Sequence, residues 1–267
     1  MTMEKTGKGK TMIMAVCGKG GVGKTSISAS IIRILAEDRN RKVLAIDADP
    51  AVGLATALGF TPARTVDDIR NDLISRVENG QGGDKKELLK QLDYEIFEAL
   101  TERDNLAFLA IGRPEKEGCY CQVNDFLKDV IETIAMNFDY VVIDGEAGIE
   151  QVNRRVMESV THLLLVSDAS MKGITVIKTI KEVSDTAIAY DEAGLMLNRI
   201  RGREEADRLS IPEGIRLIGW VPEDDMIRET DIQGKSIMDM AESPALGAVR
   251  KILLSFNFLQ HDTGVAV

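Results

Sequence analysis

From Met12 to Phe256 the chain alternates short apolar runs with longer amphipathic stretches. The runs are Met12-Ile13-Met14-Ala15-Val16, Lys42-Val43-Leu44-Ala45-Ile46, Leu106-Ala107-Phe108-Leu109-Ala110-Ile111, Tyr140-Val141-Val142-Ile143, Leu163-Leu164-Leu165-Val166 and Leu195-Met196-Leu197. They are continuous rather than alternating in polarity, the pattern of strands covered on both faces of a parallel sheet. Between them, Ile27 to Ala36 reads as a helix, and Thr61 to Arg103 reads as helical, mostly polar sequence with a loop at Asn79-Gly80-Gln81-Gly82-Gly83. Ile69, Leu73, Ile74 and Val77 make one helical stripe and Leu88, Leu89 and Leu92 begin another, read as core packing or a partner face. Phe126, Val130, Ile131 and Ile134 mark a further helix, as do Val249, Ile252, Leu253 and Phe256 after Pro244. The alternation predicts an α/β fold with a mostly parallel central sheet flanked by helices. We expect a flexible lead-in at 1–10, one domain at 11–260 and a tail at 261–267, with no internal repeat.

The first run leads into Gly18-Lys19-Gly20-Gly21-Val22-Gly23-Lys24-Thr25, followed by Ser26-Ile27-Ser28-Ala29. Glycine, four residues, then Gly-Lys-Thr is the spacing of a phosphate-binding loop, and a strand before it with a helix after it is the context such a loop needs. Its glycines let backbone N–H groups turn toward phosphate oxygens at a helix N-terminus. Lys24 is placed to reach the outer phosphates and the Thr25 hydroxyl to ligate Mg²⁺.

Two later strands end in acids. Lys42 to Ile46 runs into Asp47-Ala48-Asp49-Pro50, and Tyr140 to Ile143 runs into Asp144-Gly145-Glu146-Ala147-Gly148-Ile149-Glu150. Carboxylates at the carboxyl ends of parallel strands sit on the ligand-bearing edge, where they hold a Mg²⁺ shell or orient an attacking water. Asp144 and Asp47 are the candidate Mg²⁺ carboxylates; Glu146 and Glu150 receive no role. The third run ends in Gly112-Arg113-Pro114-Glu115-Lys116-Glu117-Gly118-Cys119-Tyr120-Cys121, which places both cysteines in a loop before a helix. In extended backbone, residues two apart point to one side, so both sulfurs can meet one ion. Two thiolates do not complete a tetrahedral site, but two copies of the loop across a two-fold axis supply four. Cys17 reads as a buried hydrophobe, and His162 and His261 as structural.

The formal net charge of -10 argues against a nucleic-acid or anionic-membrane partner. No apolar run approaches the roughly eighteen residues of a membrane span, and Met1 to Lys10 has lysines but no apolar h-region. Three cysteines make no disulfide framework, so a reducing cytoplasm is the expected setting.

Lys19 directly follows the first glycine, and Lys-Gly-Gly-x-Gly-Lys-Thr resembles the deviant Walker A family of P-loop NTPases (the SIMIBI type), which includes MinD, ParA, Mrp and nitrogenase iron proteins. The resemblance implies a homodimer in which Lys19 reaches the partner's nucleotide, with Lys19, Lys24 and Asp49 as catalytic residues. Asp49 matches the family's water-orienting aspartate in switch I, and Asp144 opens switch II. Asn198-Arg199 resembles the adenine-reading position, and Gly219-Trp220-Val221-Pro222-Glu223-Asp224 the segment lining the adenine pocket. Asn-Lys-x-Asp, the guanine signature, is absent, so ATP is expected. Arg113-Pro114-Glu115, Gly118-Cys119-Tyr120-Cys121 and Glu146-Ala147-Gly148-Ile149-Glu150 together look like the CooC-type ATPases. That resemblance implies a metal ion (Zn²⁺ or Ni²⁺) shared through Cys119 and Cys121, and carbon monoxide dehydrogenase or acetyl-CoA synthase as client. A [4Fe–4S] reductase and a ParA- or MinD-like positioning ATPase are the alternatives. The poorly cationic helix at Val249 to Phe256 is read as packing on the sheet, not as a membrane anchor.

Overall fold

The computed structural model describes residues 10–79, 85–113, 121–145, 152 and 156–259. Each apolar run forms a strand. The strands are β1 (Met12–Gly18), β2 (Val43–Asp47), β3 (Thr101–Arg103), β4 (Leu106–Ala110), β5 (Tyr140–Asp144), β6 (Ser159–Ser167), β7 (Ala189–Ile200) and β8 (Leu217–Pro222). They form one sheet in the order β3-β4-β2-β5-β1-β6-β7-β8, with β1 between β5 and β6. Every pairing is parallel except β3 with β4 at the edge.

The helices are α1 (Lys24–Ala36), α2 (Gly53–Leu58), α3 (Val66–Glu78), α4 (Lys85–Ala99), α5 (Cys121–Ala135), α6 (Met171–Ala187), α7 (Arg203–Asp207), α8 (Asp225–Ile232) and α9 (Pro244–Ser255). Successive residues of β1 serve different cores: Ile13, Ala15 and Cys17 face a cluster with residues of α3 to α6, while Met14 and Val16 face one with α1, α2 and α9. Burial on both faces is why the strands read as unbroken apolar runs. α9 packs its Val249, Ile252 and Leu253 into the second cluster, so its apolar stripe is core, as expected. Among the described residues no helix is long and apolar enough to cross a membrane.

His162 is buried inside β6, its ring edge-on to Phe256 and Phe258 with centroids 4.8 and 5.1 Å away. Nδ1 lies 2.9 Å from Thr161 Oγ1 and Nε2 3.0 Å from the Phe256 carbonyl. Its role is structural, as read from the sequence; His261 lies outside the described residues.

Three local expectations change. Thr101–Arg103, read as the end of a helix, is the antiparallel edge strand β3, held by its register with Leu106 to Phe108. α2 was not anticipated. Cys121 does not lie in an extended loop but is the first residue of α5, so the alternating-side argument for two sulfurs does not apply to its backbone; Cys119 lies outside the described residues.

Candidate functional site

The phosphate loop hangs from the carboxyl end of β1, and α1 begins at Lys24 with Gly23 as its N-cap. Its backbone leaves no room for side chains at two glycines. A Cβ on Gly18 would lie 2.2 Å from the Val166 carbonyl of the neighbouring β6. Gly23 sits at φ +90°, and a Cβ there would approach Asn198 Nδ2 to 2.5 Å. Gly20 and Gly21 face open space instead, and Gly21 also takes a left-handed φ of +84°. The Lys24 side chain is buried and folds back over the loop, Nζ donating to the Lys19 carbonyl at 3.5 Å. Lys19 and Thr25 are half-buried, and Val22 is buried under the loop.

Asn198 and Arg199, at the end of β7, clasp this loop from the side. Asn198 Nδ2 donates to the Val22 carbonyl at 2.9 Å, and Arg199 Nη1 donates to the Gly21 carbonyl at 3.1 Å. Asn198 Oδ1 accepts the Arg199 N–H, which holds Arg199 at a left-handed φ of 59°. This clasp joins residues more than 170 positions apart (|i−j| is 176 for Asn198 and Val22), so no local sequence signal reveals it.

Strand register sets Asp47 beside Asp144, on neighbouring strands about 4.8 Å apart. Both are buried. Asp47 accepts the Asp49 N–H at 3.1 Å on Oδ1 and the Leu54 N–H at 2.9 Å on Oδ2. It therefore shapes both the turn that presents Asp49 and the start of α2. Asp49 is half-buried, with Oδ1 accepting the Ala51 N–H. Burial, and then the neighbouring charge of Asp144, pushes the Asp47 carboxyl up to about 7. Burial also raises Asp144 to about 6, against the pull of the Thr25 and Ser28 hydroxyls and of Lys24.

Asp144 Oδ1 accepts the Ser28 hydroxyl at 2.9 Å, whereas Oδ2 is buried with no hydrogen-bond partner among the described residues. A buried, unpartnered carboxylate oxygen is costly unless a cation or donor meets it. That oxygen and the adjacent Thr25 hydroxyl fit Mg²⁺, which takes one or two protein oxygens and fills its shell with water and phosphate. Among the described residues no group of three or more His, Cys, Asp or Glu is placed to hold a metal ion, as a sparse Mg²⁺ shell of this kind requires none.

Beside the clasp lies a cavity of about 450 Å³, lined in part by Ser26, Asn198, Arg199, Pro222 and Glu223, all singled out in the sequence. Val221 is buried just before them in β8. Asp224, the last residue of the same segment, lines it too, and the structure adds Ile227 and Arg228. Asp224 caps α8, accepting the Met226 and Ile227 N–H groups, and takes the Ala245 N–H on its other oxygen. Burial opposes its charge, but these donors and Ser243 outweigh it and hold its carboxyl below the usual range. Asp224 itself, an N-cap residue followed by Asp225 in the first turn, is the local signal for a helix lining the pocket.

Glu146 and Glu150 lie outside the described residues. The loop, Asp47, Asp49, Asp144 and the cavity thus share one edge of the sheet, at the carboxyl ends of β1, β2, β5, β7 and β8.

The profile of the CobQ/CobB/MinD/ParA nucleotide binding domain matches residues 13–237. An ATP-binding protein of Methanocaldococcus jannaschii is 35% identical over 235 residues, 87% of this chain and 92% of that one. The carbon monoxide dehydrogenase accessory protein CooC of Rhodospirillum rubrum is 28% identical over 256 residues, covering 88% and 91%. Among solved structures, the septum site-determining protein MinD of Pyrococcus horikoshii, complexed with Mg-ADP, superposes with a TM-score of 0.62 at 24% identity, covering 91% of this chain and 94% of that one.

Proposed function

Because the chain belongs to the CobQ/CobB/MinD/ParA nucleotide-binding family, we propose that it is a dimeric, Mg²⁺-dependent ATPase that carries a metal ion and supports nickel insertion into carbon monoxide dehydrogenase or acetyl-CoA synthase. One observation carries the ATPase reading: the clasped phosphate loop stands beside the Asp144 oxygen that lacks a partner among the described residues. The base occupies the cavity beside Asn198 and Pro222, and Gly18 to Ser26 wrap the phosphates. Thr25 and Asp144 hold Mg²⁺, with Asp47 behind them fixing the Asp49 turn. When bound, Mg²⁺ neutralises charge on the outer phosphates. Asp49 orients a water for in-line attack on the terminal phosphorus, the bond to the bridging oxygen breaks, and ADP and phosphate leave. Lys24 serves its own protomer's phosphates and Lys19 those of the partner.

The metal is cargo rather than part of this chemistry. Support for it comes from the C-x-C spacing at Cys119 and Cys121 and from the CooC relative, with thiolates of both protomers completing one site. Soft thiolates take Zn²⁺ as well as Ni²⁺, so the ion found on purification need not be the one delivered. A nitrogenase-type reductase uses a second cluster ligand just beyond switch II, and Asp144 to Val160 contains no cysteine. The resemblance to MinD structures supports a second reading, an ATPase that positions cellular cargo.

Metal analysis of anaerobically purified protein separates these readings. The expected result is about one Zn²⁺ or Ni²⁺ per dimer, lost in Cys119→Ser and Cys121→Ser. Iron with sulfide and a visible absorbance band would favour the reductase. Protein without metal that still hydrolyses ATP would favour positioning. Reconstituting nickel-free carbon monoxide dehydrogenase with this protein, Ni²⁺ and ATP tests the client directly.

A further inference from the structure

The connection that leaves β4 toward the cysteines is tied to the nucleotide edge before it gets there. Ile111 donates its N–H to the Asp47 carbonyl at 2.8 Å, and its own carbonyl accepts the Asp67 N–H at 2.9 Å. Asp47 thus holds the Asp49 turn with its side chain and the start of the cysteine-bearing segment with its backbone. The second bond delivers that position to the first turn of α3, where Asp68 and Thr65 exchange hydrogen bonds across a capping box. Gly112, at φ +87°, packs so closely there that a Cβ would meet Thr65 Oγ1 at 2.6 Å.

One turn further along α3 is Arg70, only 6% exposed. Its Nε donates to Asn124 Oδ1 at 2.8 Å. Asn124 stands in the first turn of α5, three residues after Cys121. The Nε–H bond lies in the plane of the guanidinium and so fixes direction as well as distance, which a lysine ammonium in its place would not.

We propose that the Arg70–Asn124 hydrogen bond couples the nucleotide edge to the start of α5, making both positioning residues for the thiolate site. The path runs from Asp47 through Ile111 and α3 to Arg70, Asn124 and Cys121. It differs from the route through the segment after switch II, where Lys128 Nζ meets Glu158 Oε1 at 2.6 Å. The Glu158 side chain there is 71% exposed and that of Lys128 11%, so solvent screens one partner of the pair. Lys128 also lies two turns along α5 from Cys121.

The inference rests on the metal-carrier reading, and the test separates the two. In the full chain, Zn²⁺ affinity is measured with and without Mg·ATP. The wild type is expected to show about a tenfold ratio, which falls within about twofold in Asn124→Leu and returns in Asn124→Asp, which keeps the acceptor. Basal hydrolysis without Zn²⁺ stays unchanged in both. Arg70→Lys is expected to behave like Asn124→Leu, and stands in should that variant fold poorly. A ratio preserved in Asn124→Leu and Arg70→Lys, or not rescued by Asn124→Asp, overturns the proposal.

If the wild type binds no Zn²⁺ at all, the carrier reading fails, and hydrogen exchange of residues 121–130 decides the coupling alone. Mg·ATP must then change exchange in the wild type but not in Asn124→Leu. An equal change in both, or none in the wild type, overturns it.

Discussion

Position 23 allows a quantitative test of the clasp. Gly23→Ala carries two separable costs. A side chain at φ +90° costs about 1–2 kcal/mol of backbone strain. The new methyl group would also lie 2.5 Å from Asn198 Nδ2, which must retreat from the Val22 carbonyl it holds at 2.9 Å. Disrupting a buried hydrogen bond and stranding its partner costs about 1–3 kcal/mol. The expected destabilisation is therefore about 2–5 kcal/mol, read as a shift in urea midpoint of the nucleotide-free protein. Asn198→Ala removes the obstructing amide while leaving the strain at position 23 in place. In that background Gly23→Ala should cost only the backbone part, so the double variant is less destabilised than the sum by about 1 kcal/mol or more. An additive cycle, closing within about 0.5 kcal/mol, would refute the claim that Asn198 restricts the loop.

Other outcomes are expected from the same geometry. Lys24→Ala should lower ATP hydrolysis by about 100-fold or more, read by phosphate release. Lys19→Ala should lose hydrolysis while each monomer still binds nucleotide, and normal turnover would remove its role across the dimer. Asp144→Asn should abolish the gain in nucleotide affinity on adding Mg²⁺ while leaving affinity in EDTA within a few-fold, as titration calorimetry can measure. Burial holds the His162 imidazole below its ordinary 6.5, outweighing Glu192 and the Phe256 carbonyl. Above pH 6.5 it is neutral in both states; below that the unfolded chain takes up a proton that the folded one resists, so stability falls as pH falls. The stability difference between wild type and His162→Gln should shrink from pH 7.5 to 5.5, and a constant difference would show that His162 does not titrate there.

What the sequence made legible follows from where each segment's energy comes from. β1, β2, β4 and β5 are defined by their own apolar residues, so their runs stand out. β3 is Thr101-Glu102-Arg103, polar and three residues long, and exists only because β4 offers it an edge. β7 extends from Ala189 to Ile200, yet only Leu195 to Leu197 declared it, since Tyr190, Asp191 and Glu192 are partly or fully exposed. α2 begins after Val52, at φ 51°, with its Leu54 N–H met by Asp47, a partner seven residues earlier that no capping pattern reveals.

The site divides the same way. The phosphate loop and the acids at strand ends are contiguous chemistry and were read directly. The clasp from Asn198, the register of Asp47 with Asp144 and the α8 wall of the cavity are products of topology, which a linear reading of spacing does not contain.

The clasp has a consequence for how ligands add up. Asn198 and Arg199 line the cavity proposed for the base and at the same time brace the Val22 and Gly21 carbonyls of the phosphate loop. A nucleoside alone and a polyphosphate alone therefore each meet a residue pair that the other would have set in place. Their separate affinities should not multiply to that of the intact nucleotide. An inhibitor that fills only the cavity would act on the loop as well, by fixing the two side chains on which its shape depends.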